Sequence, residues 1–193
     1  LAFSAPGKWY AAVINSKNWN AAGVTLPGVP GVVIGKAENI SWVLTNMMND
    51  DSDFYVEKLD SSKTKYFIDG QWQNLKIIKD TIKVKDGIDQ IITIKETHRG
   101  PIISNIHPYK FIYNKDNLDI PPISMRWSGS EFSDEMLAFY KLNKAKNWNE
   151  FRDAVKYFGI PGQNFVYADA QGNIGYIMGA RIPLRSGNNP TLV

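Results

Sequence analysis

The chain has 193 residues, of which 44% are hydrophobic and 12% aromatic, fractions that are typical of a folded globular domain and exclude a disordered one. Its 22 basic and 19 acidic residues leave a formal net charge of +3, too close to balance to indicate a nucleic-acid or anionic-membrane partner. It contains no cysteine, which excludes a thiolate metal site and a cysteine nucleophile. No apolar run approaches the ~20 residues of a bilayer-spanning helix, so no membrane span is predicted.

Most of the chain is predicted to form short strands, because apolar runs of period two, or continuous ones, alternate with Gly, Pro, Asn and Asp. Asp69-Gly70 and Gln171-Gly172 are typical of tight turns between paired strands. The predicted strands are 9–14, 31–34, 40–45, 54–59, 65–68, 77–84, 91–97, 123–127, 165–168 and 174–178.

Two helices are predicted late in the chain. The first covers about 133–143 with Ser133 as its N-cap. The second follows Asn147, which has Glu150 three residues on as in a capping box, and ends at Gly159. With no repeat and no linker, the simplest interpretation is a single α+β unit over residues 1–193.

Generic catalytic motifs are absent: the chain has no Gly-rich phosphate loop, no Gly-x-Ser-x-Gly elbow and no His-Glu-x-x-His pair. Two polar features remain. The acidic turn 49–53 offers oxygen ligands for a cation such as calcium, although a solvated loop is the simpler interpretation. Asn164 begins a predicted hairpin, where its amide could donate to an oxyanion or cap the strand, and chemistry alone favours the cap.

Seven further segments of the chain follow one another in a recognisable order and spacing: 26–31, 40–46, 50–53, 145–151, 163–169, 172–176 and 182–185. In that order and spacing they resemble the early β-subunit of the penicillin acylase family, a group of N-terminal nucleophile hydrolases. Because the motifs are independent of one another, the resemblance is specific, and it extends over nearly the whole chain.

The resemblance implies part of an αββα sandwich and the hydrolysis of acyl amides, such as penicillins or N-acyl-homoserine lactones. In the family a precursor is cut into two chains, and the new N-terminal Ser of the larger chain forms an acyl-enzyme, with its own α-amino group as the base. That Ser would lie upstream of Leu1. The chain is therefore expected to be an interior fragment, inactive alone, whose partners are the small chain and the rest of the large chain. A bacterial periplasmic or secreted location is expected.

The resemblance also implies roles for three polar residues. Asn164 matches the side-chain donor of the oxyanion hole, and Asn46 matches the residue whose backbone N–H is the second donor. Arg185 matches an arginine that orients the nucleophile region, a role that the nearby Arg181 could exchange with it.

The acyl pocket is implied at three aliphatic positions. Leu1, Ile34 and Leu44 stand where penicillin G enzymes have Phe, Phe and Ser. Aliphatic walls favour an aliphatic acyl chain over a flat phenylacetyl ring by shape. The sequence therefore favours fatty-acyl amides as substrates.

A structural calcium ion is implied at the acidic turn, with Asp50, the carbonyl of Ser52 and Asp53 as ligands and others from the missing small chain. A different class of function also stays open: a non-catalytic β-rich module that binds carbohydrate or a partner through exposed aromatic rings. The candidate rings are Trp19, Trp72 and Trp148. A degenerate family member kept as a scaffold is the third alternative.

Overall fold

The structure is a computed structural model that describes residues 7–104, 106 and 121–185. These residues form twelve strands, two α-helices and one 3₁₀ turn, Ser128–Ser130. In chain order the strands are β1 (Tyr10–Ser16), β2 (Trp19–Thr25), β3 (Ile34–Ala37), β4 (Ile40–Asn46), β5 (Ser52–Val56), β6 (Lys65–Ile68), β7 (Gln71–Asn74), β8 (Lys76–Ile82), β9 (Gln90–Glu96), β10 (Ile123–Trp127), β11 (Gln163–Asp169) and β12 (Ile174–Gly179). The helices are α1 (Glu135–Leu142) and α2 (Trp148–Val155). This strand-rich architecture with two helices confirms the predicted α+β class.

The chain divides into two compact units, Leu1–Asp51 with Glu131–Val193 as the first and Ser52–Ser130 as the second. The sequence predicts a single unit over residues 1–193, and that the whole chain folds as one domain stays a prediction. None of the helices in the described part of the chain is long and apolar enough to cross a bilayer.

The first unit is built on a six-stranded antiparallel sheet with the order β1-β2-β3-β4-β11-β12. Side chains alternate between its faces, so Trp42 of β4 and its register partner Tyr167 of β11 both point to one face and are each 1% exposed. Phe165 shares this buried face. Both helices pack against it, and Phe151 of α2 is fully buried with its ring centroid 5.1 Å from that of Tyr167.

The helix caps decide where the two helices begin. Asn147 caps α2 as predicted, because its Oδ1 accepts the backbone N–H of Glu150 at 3.0 Å. The prediction of Ser133 as the cap of α1 is wrong. Asp134 holds that position and accepts the N–H of Leu137 at 2.9 Å, so α1 begins at Glu135. The end of α2 at Val155 lies before the predicted stop at Gly159.

The loop before β3 explains why the predicted strand 31–34 is wrong. Gly28 and Gly31 have φ of 89° and 96°, a left-handed backbone that interrupts an extended run. The backbone of Val32 is then bonded at both N–H and C=O, each at 2.7 Å, by the side chain of Asn143. A side chain from the end of α1 thus takes the place of a neighbouring strand, and β3 begins only at Ile34.

The described residues of the second unit form three two-stranded antiparallel sheets, β5 with β10, β6 with β7 and β8 with β9. Its notable internal feature is Glu57, whose side chain is 1% exposed. The carboxylate accepts hydrogen bonds from the Ser124 hydroxyl at 2.6 Å and from the Arg99 guanidinium at 3.2 Å. A buried charge is tolerated only when it is paired and hydrogen-bonded, and both conditions are met here.

Candidate active site

The face of the six-stranded sheet opposite the helices carries the strongest candidate for a functional site. Its side chains come from the alternate positions of β4, β11 and β12, and several are apolar yet about half exposed: Val43, Val166, Tyr176 and Met178. Asn164 and Thr45 face each other across the β4–β11 register on this face. Polar groups on a rigid strand surrounded by exposed apolar side chains are typical of a binding surface.

Asn164 and Asn46, the two residues implied for the oxyanion hole, lie side by side. The strands β4 and β11 pair with Gln163 opposite Asn46. The Nδ2 atom of Asn164 lies 3.2 Å from the backbone oxygen of Asn46 and 3.4 Å from the Oγ1 atom of Thr45. The side chain of Asn46 is held in turn by Gln163, whose Nε2 donates to its Oδ1 at 2.9 Å. Two residues 118 positions apart in the chain are thus brought together.

A third polar side chain, Tyr176, completes this cluster and was not singled out from the sequence. Its hydroxyl donates to the Oδ1 atom of Asn164 at 2.7 Å. The signal that could have found it is the predicted hairpin at Gln171-Gly172, because the resulting register sets Tyr176 opposite Val166 and diagonal to Asn164.

The two candidate arginines have different partners. Arg185 Nη2 lies 3.2 Å from the carboxylate of Asp50 and 3.4 Å from its backbone oxygen. Arg181 instead faces Glu131, at 3.8 Å. The two positions are therefore distinct, and Arg185 lies beside the loop that follows β4, while its role toward the nucleophile region stays a prediction.

The implied acyl-pocket residues are aliphatic but not grouped with the polar cluster. Ile34 and Leu44 are both partly buried and pack against the core of the first unit, Leu44 opposite Phe165. Leu1 lies outside the described residues. A cavity of about 380 Å³ exists between the ends of β1, β2 and β3, and none of the implied site residues lines it. The acyl-pocket assignment stays a prediction.

The three implied calcium ligands are fewer than the number of oxygen ligands that calcium takes. Asp50 belongs to the first unit, whereas Ser52 and Asp53 begin β5 in the second. Calcium takes six to eight oxygen ligands, and within the described ranges no group of three or more His, Cys, Asp or Glu side chains is placed to hold a metal ion. One oxygen of Asp50 also faces the Arg185 guanidinium. Carboxylate and carbonyl oxygens are the ligand types that calcium prefers, and the binding of calcium by these residues stays a prediction.

The aromatic rings of the binding-module alternative differ in how far they are exposed. Trp148 stacks on Phe151 at 5.7 Å between ring centroids, and Trp19 meets Tyr140 edge-on at 5.5 Å. Both tryptophans pack against the core of the first unit. Trp72, in the second unit, is 45% exposed. Two of the three rings therefore serve packing within the first unit.

Comparison with protein families identifies relatives over the whole chain. The model of the penicillin amidase family matches residues 1–193. Penicillin G acylase of Escherichia coli is 32% identical over 190 residues, which cover 97% of this chain and 21% of that protein. Acyl-homoserine lactone acylase QuiP of Pseudomonas aeruginosa is 29% identical over 193 residues, which cover 96% of this chain and 22% of that protein.

A solved structure shows the same fold. The thermostable penicillin G acylase from Alcaligenes faecalis superimposes with a TM-score of 0.76 at 28% sequence identity, covering 91% of this chain and 30% of that chain. The chain spans about a fifth of the length of the curated relatives it matches. The family and the fold class predicted from the sequence are both confirmed.

Proposed function

The chain belongs to the penicillin amidase family, and from that premise we propose that it supplies the oxyanion hole of an enzyme that hydrolyses acyl amides. The observation that supports this most directly is the pairing of Asn164 with Asn46 at the ends of β11 and β4, 3.2 Å from Nδ2 to the backbone oxygen. In this contact Asn164 donates and the backbone oxygen of Asn46 accepts, which holds the Asn164 amide in a defined place on a packed sheet. Stabilisation of a developing oxyanion requires a donor that is preorganised in this way.

The proposed chemistry is acyl transfer. A Ser hydroxyl from the part of the enzyme outside this chain attacks the amide carbonyl carbon, with an α-amino group taking its proton. The negative charge that develops on the carbonyl oxygen accepts hydrogen bonds from Asn164 Nδ2 and from the backbone N–H of Asn46. The C–N bond then breaks, the amine leaves with the proton, and water releases the acid from the acyl-enzyme.

The proposed substrates are amides with aliphatic acyl groups. The chain is similar both to a penicillin G acylase and to an acyl-homoserine lactone acylase, at 32% and 29% identity, so identity alone does not separate aromatic from aliphatic acyl groups. The aliphatic choice rests on residue type at positions 34 and 44, because aliphatic walls favour an aliphatic acyl chain by shape. In this structure Ile34 and Leu44 pack against the core of the first unit, so their contact with an acyl chain is part of the proposal.

The proposed enzyme contains more than this chain. A relative that covers 97% of the chain at 25% identity, from a Pseudomonas species, is named penicillin acylase 2 proenzyme, and that name supports synthesis as a precursor. We infer that the precursor is cleaved into two chains. We infer that the nucleophile lies outside residues 1–193, that this chain alone does not hydrolyse amides, and that its partners are the small chain and the rest of the large chain. We also propose that the enzyme is periplasmic or secreted in a bacterium.

We also propose a structural calcium ion at Asp50, Ser52 and Asp53, completed by ligands from the rest of the enzyme. When bound, the ion would neutralise the two carboxylates and hold the turn. Its test is the thermal midpoint of the whole enzyme with calcium and with a chelator. We expect a calcium-dependent rise that Asp53→Asn abolishes and that Asp86→Asn, at a different acidic turn, retains.

A panel of acyl amides tests the proposed function. The whole, self-processed enzyme and the isolated chain are assayed side by side on phenylacetyl, hexanoyl and decanoyl amides, including N-acyl-homoserine lactones. We expect turnover by the whole enzyme only, strongest on the aliphatic acyl groups. A correctly cleaved enzyme with no turnover on any of them would instead favour the scaffold alternative, and preference for phenylacetyl would contradict the pocket assignment alone.

A further inference from the structure

The side-chain amide of Asn164 is held at both ends. Its Nδ2 faces the backbone oxygen of Asn46 at 3.2 Å, and its Oδ1 accepts the hydroxyl of Tyr176 at 2.7 Å. A backbone oxygen can only accept, so the NH₂ group must be the end that faces Asn46. The oxygen end is then left for Tyr176, which must act as the donor.

The β11–β12 hairpin places Tyr176 where this contact is possible. Asn164 pairs with Met178 and Val166 pairs with Tyr176, so Tyr176 is the diagonal neighbour of Asn164 on the same face of the sheet. Diagonal pairs lie about 7–8 Å apart, within reach of an aromatic side chain. Tyr176 is 56% exposed, so its ring is only partly packed against other residues. Its hydroxyl makes the specific contact with Asn164.

We propose that Tyr176 is a positioning residue for the oxyanion donor Asn164, an inference that rests on the proposed function. Nδ2 carries two hydrogens, and the backbone oxygen of Asn46 takes one. Among the described residues, the other acceptor near Nδ2 is the Thr45 hydroxyl, at 3.4 Å, and this contact is long enough for a substrate oxygen to replace it. The Tyr176 hydroxyl fixes the amide in the orientation that directs this second hydrogen to the substrate.

Tyr176 also strengthens the donor electronically. A hydrogen bond accepted by an amide oxygen shifts electron density toward that oxygen and leaves the N–H groups more positive, which makes them better donors. The effect matters most when the substrate oxygen becomes negative, because hydrogen bonds to charged groups are stronger than those to neutral ones. Tyr176 should therefore act on turnover more than on substrate binding.

The variant Tyr176→Phe in the whole, self-processed enzyme tests the proposal, because it removes only the hydroxyl. We expect kcat to fall about tenfold, the size of one neutral hydrogen bond, with KM within about twofold and an unchanged thermal midpoint. Tyr157→Phe is the matched control. Tyr157 is also about half exposed in the first unit, and its ring contact with the Lys141 ammonium, at 5.0 Å, survives the change.

A double-mutant cycle with Asn164→Ala separates positioning from a structural role. If Tyr176 acts through Asn164, Tyr176→Phe has no further effect on kcat in the Asn164→Ala background. Additive losses, or full kcat in Tyr176→Phe beside a large loss in Asn164→Ala, would overturn the positioning role and leave the proposed function intact. Full turnover in Asn164→Ala would overturn the oxyanion role itself.

A second variant keeps the proposal testable if Tyr176→Phe does not fold. Replacement of Tyr176 by 3,5-difluorotyrosine keeps the ring and hydroxyl but brings ionisation of the phenol close to neutral pH. Because a phenolate cannot donate, we expect kcat of this variant, divided by kcat of the native enzyme at the same pH, to fall as pH rises through that ionisation. Identical pH profiles would overturn the proposal.

Discussion

At the scale of single residues, the sharpest prediction concerns the side chain of Asn164. Asn164→Ala removes one oxyanion donor and should lower kcat of the whole enzyme by about 100-fold or more. Stability should change little, because the side chain lies on the exposed face of the sheet and its loss opens no cavity in the core. Steady-state kinetics beside thermal unfolding measure both quantities. Asn74→Ala, at an exposed position of β7, is the control, and a fully active Asn164→Ala would refute the assignment.

Also at the residue scale, loss of the buried ion pair of the second unit should lower the free energy of unfolding more than loss of an exposed pair. Arg99→Met leaves the carboxylate of Glu57, 1% exposed, without its cation, and should lower the free energy of unfolding by about 3 kcal/mol. Lys76→Ala breaks the Lys76–Glu96 pair, whose lysine is 69% exposed, and should cost less than about 1 kcal/mol. Urea unfolding compares the two variants. Equal losses of unfolding free energy in the two variants would show that burial does not determine how much the Arg99–Glu57 pair contributes to stability.

At the scale of elements, Glu135 ties the start of α1 to the segment that leads into β11. Burial raises the pKa of Glu135, but hydrogen bonds from Ser133 and from the backbone N–H groups of Ile160 and Gly159 outweigh it and hold the pKa below its ordinary value. The two backbone bonds measure 3.0 and 2.9 Å. A depressed folded-state pKa means that the stabilisation is complete above the unfolded value, about 4.3, and is lost as pH falls through the folded one.

The thermal midpoint of Glu135→Gln, measured against pH beside that of the native chain, checks the stabilising role of the Glu135 charge. The native chain should have the higher thermal midpoint at pH 7, because glutamine keeps an acceptor but not the charge. The difference should shrink as pH falls through the lowered folded-state pKa of Glu135, where the native carboxylate becomes protonated. Glu38→Gln, an exposed position, should shift the midpoint little at any pH. A difference that is constant between pH 7 and pH 3 would contradict the assigned role of the charge.

At the scale of the whole molecule, the first unit's sheet predicts self-association of the isolated chain. The described sheet ends in the edge strands β1 and β12, on which Val13 and Ile174 are 79% and 87% exposed. Unpaired edges with exposed apolar side chains are templates for pairing with another chain. Sedimentation should show concentration-dependent association that Ile174→Lys weakens, with Ala170→Lys, in the β11–β12 turn, as the control. A strictly monomeric native chain at high concentration would refute this.

The sequence alone predicts an element correctly where its structure depends on local chemistry or on the alternation of apolar and polar residues. The predicted strands 65–68 and 123–127 match β6 and β10 fully, because apolar alternation marks a half-buried strand. The Asn147 cap was found from its spacing to Glu150. β2 was missed because its residues, Ala, Gly and Asn among them, have low strand propensity, and pairing with β1 and β3 stabilises it instead.

Family, fold class and the identity of the paired asparagines Asn46 and Asn164 were accessible from the sequence alone, since motifs in register carry them. Only the tertiary structure decided which side chains meet over long separations. The Asn143 amide takes the place of a strand beside Val32, Arg99 neutralises Glu57, and Tyr176 holds Asn164. Each of these contacts depends on the register and packing of elements distant in the chain, and a local pattern contains no information about that geometry.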